Sequence, residues 1–363
     1  MDLSLLEQTL TARGEPRFRA RQVWAWTARG AHGYEEMTDL PAQLREALAR
    51  ELPFTSLQLH EETHARDGTV KALFHTHDRR PLEAVLMRYR DRSADAATGR
   101  RSICVSSQSG CPLTCTFCAT GQMKFARNLT ASEILEQALH FRRIEAVDHA
   151  VFMGMGEPML NLDNVLAACE RLPDLGITHR HTTISTVGWI PGIERLAEQP
   201  LPLRLALSLH AADEALRSQL MPVNERYPLR EVIAACRAFY ARKRRHVFVE
   251  YVMLAGVNDR HEQALALAQL LAPPGVFKVN LIPYNPTDGA YRGSSREAIA
   301  AFKAVLESRG IPATVRLTRG RDIDAACGQL AASNLTGAYE EAGDSWHSSD
   351  EAAAWERTTA DGL

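Results

Sequence analysis

From Ser102 onward the chain alternates between two textures, and this alternation limits its possible folds more than any other feature. The runs ICVSS, HAVFMG, HTTIST, LRLALSL, FVEYVML and KVNLIP are short, apolar and rich in β-branched side chains, as buried strands are. Between and after them, apolar residues recur at helical spacing and predict helices over 131–144, 162–172, 190–198, 229–243, 259–271 and 294–309. Strand and helix in strict succession imply parallel βαβ units, so the fold class is α/β. Six such units are too few to close an eight-fold barrel. An open doubly wound sheet and a partial barrel both fit the count, and in either one ligands collect at the carboxyl ends of the strands. Polar and sulfur-bearing residues fall at those ends: Cys111–Cys118, Gly156-Glu157, Ser185 and Ser208-Leu209-His210.

The region before this series is different. Leu3, Leu5, Leu6 and Leu10, then Val23, Trp24 and Trp26, then Leu44 and Leu48 predict short amphipathic helices. Strands are expected at 55–60, 69–75 and 82–88, with turns at Asp67-Gly68 and Asp78-Arg79. The expected division is therefore a helical segment at 1–52, a short β segment and linker at 53–100, a core at 101–333, and an acidic, small-residue tail at 334–363. No run approaches twenty apolar residues and the N-terminus lacks a signal-peptide pattern, so no membrane span and a cytoplasmic location are expected. Seven cysteines, an odd number in a reducing compartment, argue against a disulfide scaffold. Net charge is −2, which excludes a globally basic nucleic-acid binder. Local basic clusters remain at Arg13–Arg21, at Arg88–Arg101 and at Arg242–Arg245.

The stretch Cys111-Pro-Leu-Thr-Cys115-Thr-Phe-Cys118 sets three thiols on one loop. A structural zinc site takes four ligands, usually in two pairs, and no second pair is present. Cys169 and Cys236 sit singly in helical apolar patterns and read as small core residues. A four-iron cluster on three thiolates leaves one iron free of protein, open to a small chelating substrate. CxxxCxxC with an aromatic residue, Phe117, before the last cysteine resembles the signature of the radical S-adenosylmethionine (SAM) superfamily. That resemblance implies a [4Fe-4S] cluster on Cys111, Cys115 and Cys118, with SAM chelating the open iron. Gly154, Gly156 and Glu157 resemble the motif that meets the SAM amino group. Ser185, Ser208, Leu209, His210 and Asn285 stand at later strand ends, suited to the nucleoside, although each also fits an ordinary polar strand end.

The segments SICVSSQSGCPLTCTFCATG, GMGEPMLN, ISTVG, LSLHA, EYVMLAGVND, KVNLIPYNP and TRGRDIDAACGQL together resemble the radical SAM RNA adenine-C2 methyltransferases, the RlmN family. PRFRARQVWAWTARG…YEEMTDLP resembles the accessory domain of that family. The resemblance covers about residues 1–333 and implies a partial (β/α)6 barrel of radical SAM type with a small N-terminal helical RNA-binding domain. It implies methylation of C2 of an adenine in 23S rRNA and of an adenine adjacent to the anticodon in tRNA, with two SAM molecules consumed per turnover. In this scheme Cys327 takes a methyl group from one SAM. A radical made from the second SAM activates that methyl, the carbon joins the base, and Cys104 attacks the Cys327 sulfur to release the RNA as a disulfide forms. Glu83 matches the proposed proton acceptor of the family. An electron donor such as flavodoxin with its reductase is implied as a partner.

The sister Cfr-type enzymes, which methylate adenine C8 and confer antibiotic resistance, share the cluster motif and both cysteines, so those motifs leave the ring carbon open. A non-catalytic RNA-binding protein with a structural metal is a further alternative. A radical SAM activase is another, but it gives Cys104, Cys327 and the accessory segment no purpose. Trp24, Trp26 and the nearby arginines suit RNA contact, as does Arg242–Arg245, although tryptophans at helical spacing more often pack in a core.

Overall fold

The computed structural model describes residues 1–89, 99–287 and 289–330. The middle of the linker and the acidic tail lie outside the described residues.

Three helices open the chain: α1 (Leu3–Ala12), α2 (Phe18–Arg29) and α3 (Ala42–Glu51). The Asp2 carboxylate caps α1 by accepting from the Leu5 N–H at 3.0 Å. Their apolar faces, with Leu6, Leu10, Val23, Leu44 and Leu48, close on Tyr34, Met37 and Leu52 in a small core of their own. Trp24 belongs instead to the main core and is 7% exposed, with its indole N–H donating to Asp174 at 2.6 Å. The Trp26 N–H donates to Asp39 at 2.7 Å. Trp24 thus packs the helices onto the rest of the molecule and offers no face for stacking on a base.

One ten-stranded sheet forms the body. Its first three strands, β1 (Gln58–His64), β2 (Val70–His75) and β3 (Pro81–Arg88), are antiparallel, and β4 (Arg101–Cys104) joins β3 antiparallel. β1 begins three residues later than the sequence pattern suggests. A two-residue pair, β5 (Gln108–Ser109) and β6 (Arg127–Asn128), stands apart. The parallel series then runs through β7 (His149–Phe152), β8 (Thr182–Thr186), β9 (Arg204–Ser208), β10 (Val247–Met253), β11 (Phe277–Pro283) and β12 (Ala313–Val315). The expected helices follow their strands as α4 (Ala131–Ile144), α5 (Leu162–Arg171), α6 (Ile190–Glu198), α8 (Leu229–Lys243), α9 (His261–Leu271) and α10 (Arg296–Ser308). Four elements were not expected: the β5–β6 pair, α7 (Glu214–Leu220) and β12, which adds a seventh parallel strand.

Strand order decides between the two architectures left open by the unit count. The sheet runs β1-β2-β3-β4-β7-β8-β9-β10-β11-β12, with no reversal of direction. Right-handed crossovers that always step the same way put every helix on one face. A doubly wound sheet needs a switch point, and there is none. The sheet therefore has the sequential order of a barrel but keeps β1 and β12 as free edges, as a partial barrel does.

The turn between β2 and β3 is tied to α4 by charge. The Arg127 guanidinium donates to both carboxylate oxygens of Asp78, at 2.7 and 2.9 Å, and to both of Glu133, at 2.7 and 2.8 Å. Glu133 also closes a capping box with Thr130 at the start of α4. These contacts hold the Asp78 carboxyl well below the usual range despite its partial burial. Replacing Arg127 with methionine should therefore destabilise the protein by about 2–4 kcal/mol, chiefly because the buried Glu133 carboxylate loses its cation, while the more exposed Asp78 keeps Arg80 at 3.6 Å. A lowered urea midpoint at neutral pH checks this. The loss should shrink as pH falls below the normal carboxylate range towards the depressed pKa of Asp78, because the stability that a depressed pKa supplies is lost between the unfolded and folded values.

Candidate functional site

The carboxyl ends of the parallel strands surround a cavity of about 160 Å³. Its lining brings together Cys118 and Phe117 from the cysteine loop, Gly156 and Glu157 after β7, Ser185 on β8, Ser208 and His210 at the end of β9, and Cys327 from the C-terminal loop. Segments more than two hundred positions apart in sequence meet here.

The cysteine loop begins at a turn only glycine can make. Gly110 has φ +72°, and a Cβ there would sit 2.2 Å from the Lys124 carbonyl oxygen. Beyond it the loop is stapled to the C-terminal segment. The Ala119 N–H donates to the Gly328 carbonyl at 2.8 Å and the Thr120 hydroxyl to the Leu330 carbonyl at 2.9 Å. The Asn285 amide donates to the Cys327 carbonyl at 3.1 Å, and the Gln329 amide to the Pro286 carbonyl at 2.9 Å. Asn285 thus reaches the Cys327 loop and also lines the cavity that Cys327 lines.

Cys111, Cys115 and Cys118 each keep some surface open, yet the protein around them pushes their thiols up, Cys111 to about 12. Burial is the main cause in all three, and mutual repulsion adds to it for Cys111 and Cys115. Among the described residues, no three His, Cys, Asp or Glu side chains are grouped tightly enough to hold one metal ion. The donor set is instead three soft sulfurs on one loop, whose charge needs an external cation, which suits a multi-iron cluster.

Glu157 has the same character. Its carboxylate accepts from the Met159 N–H at 3.0 Å and the Val187 N–H at 2.9 Å, yet burial pushes its pKa up to about 7. It is a buried acceptor that a cationic ligand would keep ionised. Its own N–H donates to Gln108 Oε1 at 2.8 Å. Gly156, at φ +92°, lets Gln108 approach so closely that a Cβ would lie 2.5 Å from the Gln108 Cβ.

Ser185 and Ser208 hydroxyls lie 3.3 Å apart. His210 Nδ1 accepts from the Val252 N–H at 3.0 Å, and its ring stands edge-on to Phe117 at 4.7 Å. Burial, with Arg217 nearby, pushes the His210 pKa down to about 3, so the imidazole is neutral and carries its hydrogen on Nε2. Leu209 differs from its neighbours. It is fully buried, its N–H goes to the Glu250 carbonyl at 3.0 Å and its carbonyl accepts from Arg217, so it supports the cavity without lining it.

Cys104 and Cys327 share an adjoining cavity, with Arg316 and Asn285 also in its wall. Burial, with the charge of Cys327 added, pushes the Cys104 thiol up to about 12. Arg316 is held still more firmly charged than a free guanidinium, chiefly by Cys327. Glu83 lies on the same face of the sheet as Cys104, because Val85 pairs with Cys104 and Glu83 is two residues along. It is buried, with Lys71 Nζ 3.2 Å from its carboxylate, and it lines neither cavity.

Residues 1–52 match the ribosomal RNA large subunit methyltransferase N-terminal domain, and residues 105–268 match the Radical SAM superfamily. A probable dual-specificity RNA methyltransferase RlmN of Chloroflexus aurantiacus is 47% identical, over 91% of this chain and 91% of its own. Its counterpart in Thermus thermophilus is 44% identical, over 91% of this chain and 92% of its own. The chain belongs to the RlmN family. The crystal structure of a radical SAM methyltransferase from Sphaerobacter thermophilus, 44% identical, superposes with a TM-score of 0.85 over 92% of this chain and 98% of that one.

Membership in the RlmN family draws attention to buried charges that the sequence patterns passed over. Arg217, on α7, is fully buried beside Asn224, whose side-chain oxygen it reaches at 2.6 Å, and its charge eases ionisation of Cys115. Glu250 accepts from the Asn280 amide at 2.8 Å and lies 3.7 Å from Arg316. A charged residue at the carboxyl end of a strand was the available signal for Arg316, but β12 itself went unread. Among the described residues no helix is long and apolar enough to cross a membrane.

Proposed function

We propose that this protein methylates C2 of an adenine in RNA, acting on 23S rRNA and on the base beside the tRNA anticodon. The observation that carries the proposal is the shared cavity of Cys104 and Cys327, with Arg316 in its wall, next to the cavity that Cys118 and Glu157 line. Cys111, Cys115 and Cys118 would hold the four-iron cluster, and when bound the cluster would supply the electron that splits SAM into a carbon radical. Glu157 accepts from the SAM ammonium group. Ser185, Ser208 and the Nε2–H of His210 meet its nucleoside. The Cys327 sulfur attacks the methyl carbon of a first SAM, expelling S-adenosylhomocysteine and forming a thioether as its thiol proton is lost, with the Arg316 guanidinium in the wall of the same cavity. Cys104, short of solvent and next to Cys327, attacks the Cys327 sulfur; the S–S bond forms as the bond from Cys327 to the RNA-borne carbon breaks, the electron pair stays with that carbon, and the carbon takes a proton to become the new methyl group. A two-electron reductant then returns both thiols, while a separate electron donor of the flavodoxin type serves the cluster. Glu83 is assigned as proton acceptor for the ring hydrogen by the family resemblance alone: it lies on the Cys104 face of the sheet, held by Lys71, and lines neither cavity. The helices at 1–52 form the accessory domain, and the protein works in the cytoplasm.

The test is to reconstitute the cluster without oxygen, add SAM, reductant and each RNA, and map the methylated base by mass spectrometry. The expected product is 2-methyladenosine. An 8-methyl product assigns the protein to the sister chemistry, and a colourless protein that binds RNA without cleaving SAM overturns the enzymatic reading. Gly156→Ala should weaken SAM binding about tenfold or more, since the new Cβ strains the positive-φ backbone and displaces Gln108 from the Glu157 N–H. Equilibrium binding of SAM to the reconstituted variant measures it.

A further inference from the structure

The three basic clusters of the sequence part ways in the structure. In the first, Arg13 pairs with Glu51 at 2.7 Å and Arg19 with Glu15 at 3.5 Å. In the second, Arg88 and Arg101 share Glu145. Arg17 and Arg21 of the first cluster have no carboxylate within 4 Å among the described residues, but they stand on an open helix surface, whereas the third cluster gathers further cations in a concavity. Arg242, Arg244 and Arg245 are joined by Arg180, Arg204 and Lys278 around one open cavity of about 630 Å³. Among the described residues, none of these six has a carboxylate within 4 Å. Lys243 also lines the cavity and spends its ammonium on the Gln199 and Leu201 carbonyls.

This cavity lies at the wrong end of the barrel for the chemistry. Arg204 opens β9, Arg245 stands just before β10, Lys278 is the second residue of β11 and Arg180 lies just before β8. SAM and cysteine residues gather at the other ends of those same strands. The seven residues of β10 alone separate the two faces by about 20 Å.

Ordinary structural needs do not account for the cluster. Cations at the end of α8 complement the helix dipole, which explains Arg242 and Lys243. Arg180, Arg204, Arg245 and Lys278 come from outside that helix. Arg244 holds the left-handed position that ends α8, at φ +53°, where glycine sits without strain. Crowding is costly as well: burial and neighbouring cations push the pKa values of Lys243, Arg204 and Arg245 down. A chain of net charge −2 thus concentrates unpaired positive charge in one concavity. The wall holds few apolar anchors, Phe248 and two prolines, so it lacks what a protein partner would bury.

We propose that this cavity, at the amino ends of the strands, binds the phosphodiester backbone of the substrate RNA at a point remote from the methylated base. The inference rests on the RNA reading above and extends it: RNA is gripped at two ends of the barrel, and the second grip tells a folded substrate from a bare hairpin.

The test compares wild type with the charge-neutralised variant Arg180→Gln/Arg242→Gln/Arg245→Gln/Lys278→Gln, all lying outside the cysteine and SAM-facing residues. The probes are a full-length tRNA transcript and its isolated anticodon stem-loop, titrated by fluorescence anisotropy over a salt series. Each lost phosphate contact removes roughly 0.7–0.9 from the slope of log affinity against log salt. For full-length tRNA the expected results are a slope smaller by about 2–4 and an affinity at least about tenfold weaker, with KM raised and kcat unchanged. The stem-loop should bind both proteins equally. Equal tRNA affinity and slope for both proteins would overturn the inference, as would equal losses on both RNAs. So would a variant that keeps its tRNA affinity but loses binding of ATP or of an acidic reductant protein. If wild type methylates tRNA and the variant matches it, only this inference fails. If wild type neither binds nor methylates RNA, the parent reading falls and takes this one with it.

Discussion

Cys104→Ala is expected to accumulate RNA covalently attached to Cys327, while Cys327→Ala forms no adduct and loses turnover by at least about a thousandfold. The two thiols share one cavity, so each removal stops a different step. Without Cys327 there is no sulfur to accept the methyl group. Without Cys104 the carbon still reaches the base, but no neighbouring thiol cuts the Cys327 sulfur free. The folds should survive, because each change removes one sulfur from a wall that is already a cavity. Denaturing gels with labelled RNA read the adduct directly. An adduct on Cys327→Ala, or ordinary turnover by Cys104→Ala, would reverse or remove the assigned roles.

The second large effect concerns the cysteine loop. Alanine at Cys111, Cys115 or Cys118 should abolish iron retention, the brown colour and reductive SAM cleavage together. Three sulfurs are the whole protein share of the site, and a cluster on two has no comparable hold. Binding of SAM through Glu157 and the strand-end hydroxyls should fall with it but not vanish. The contrast with Cys169→Ala is the control. Cys169 is fully buried in α5 and its loss should cost stability alone, with iron content unchanged. Iron assays on anaerobically reconstituted protein separate the two cases.

The barrel strands were legible because a buried parallel strand reads as an unbroken apolar run, and HTTIST and FVEYVML are such runs. β12 was not, because Ala313–Val315 is three residues long and two of them are exposed, which leaves no pattern. α7 escaped for a similar reason: seven residues between two strands are too few for a helical period to stand out. Trp24 shows the opposite difficulty. Its residue type suits RNA stacking as well as a core, and only its burial in the main core, with the Asp174 contact, decides between them.

The candidate site was legible in its cysteine loop and not in its frame. The cysteine spacing is a local signal, so it survives in sequence. Cys104 by itself reads as one more apolar residue in a strand. Its nearness to Cys327 depends on β4 lying beside β3 and on the two staples at Ala119 and Thr120, none of which has a local signature. Arg217, Glu250 and Arg316 were missed because a buried charge follows no periodicity; its meaning lies in partners contributed by other elements.

The most direct measurement of the central claim follows the methyl group itself. Reconstituted wild-type protein is given SAM with a deuterated methyl and no RNA, then digested and weighed peptide by peptide. Methyl-derived label on the peptide that carries Cys327, and on that sulfur when fragmented, is the predicted result. Label on another residue, or an unmodified Cys327 in protein that consumes SAM, would contradict the account.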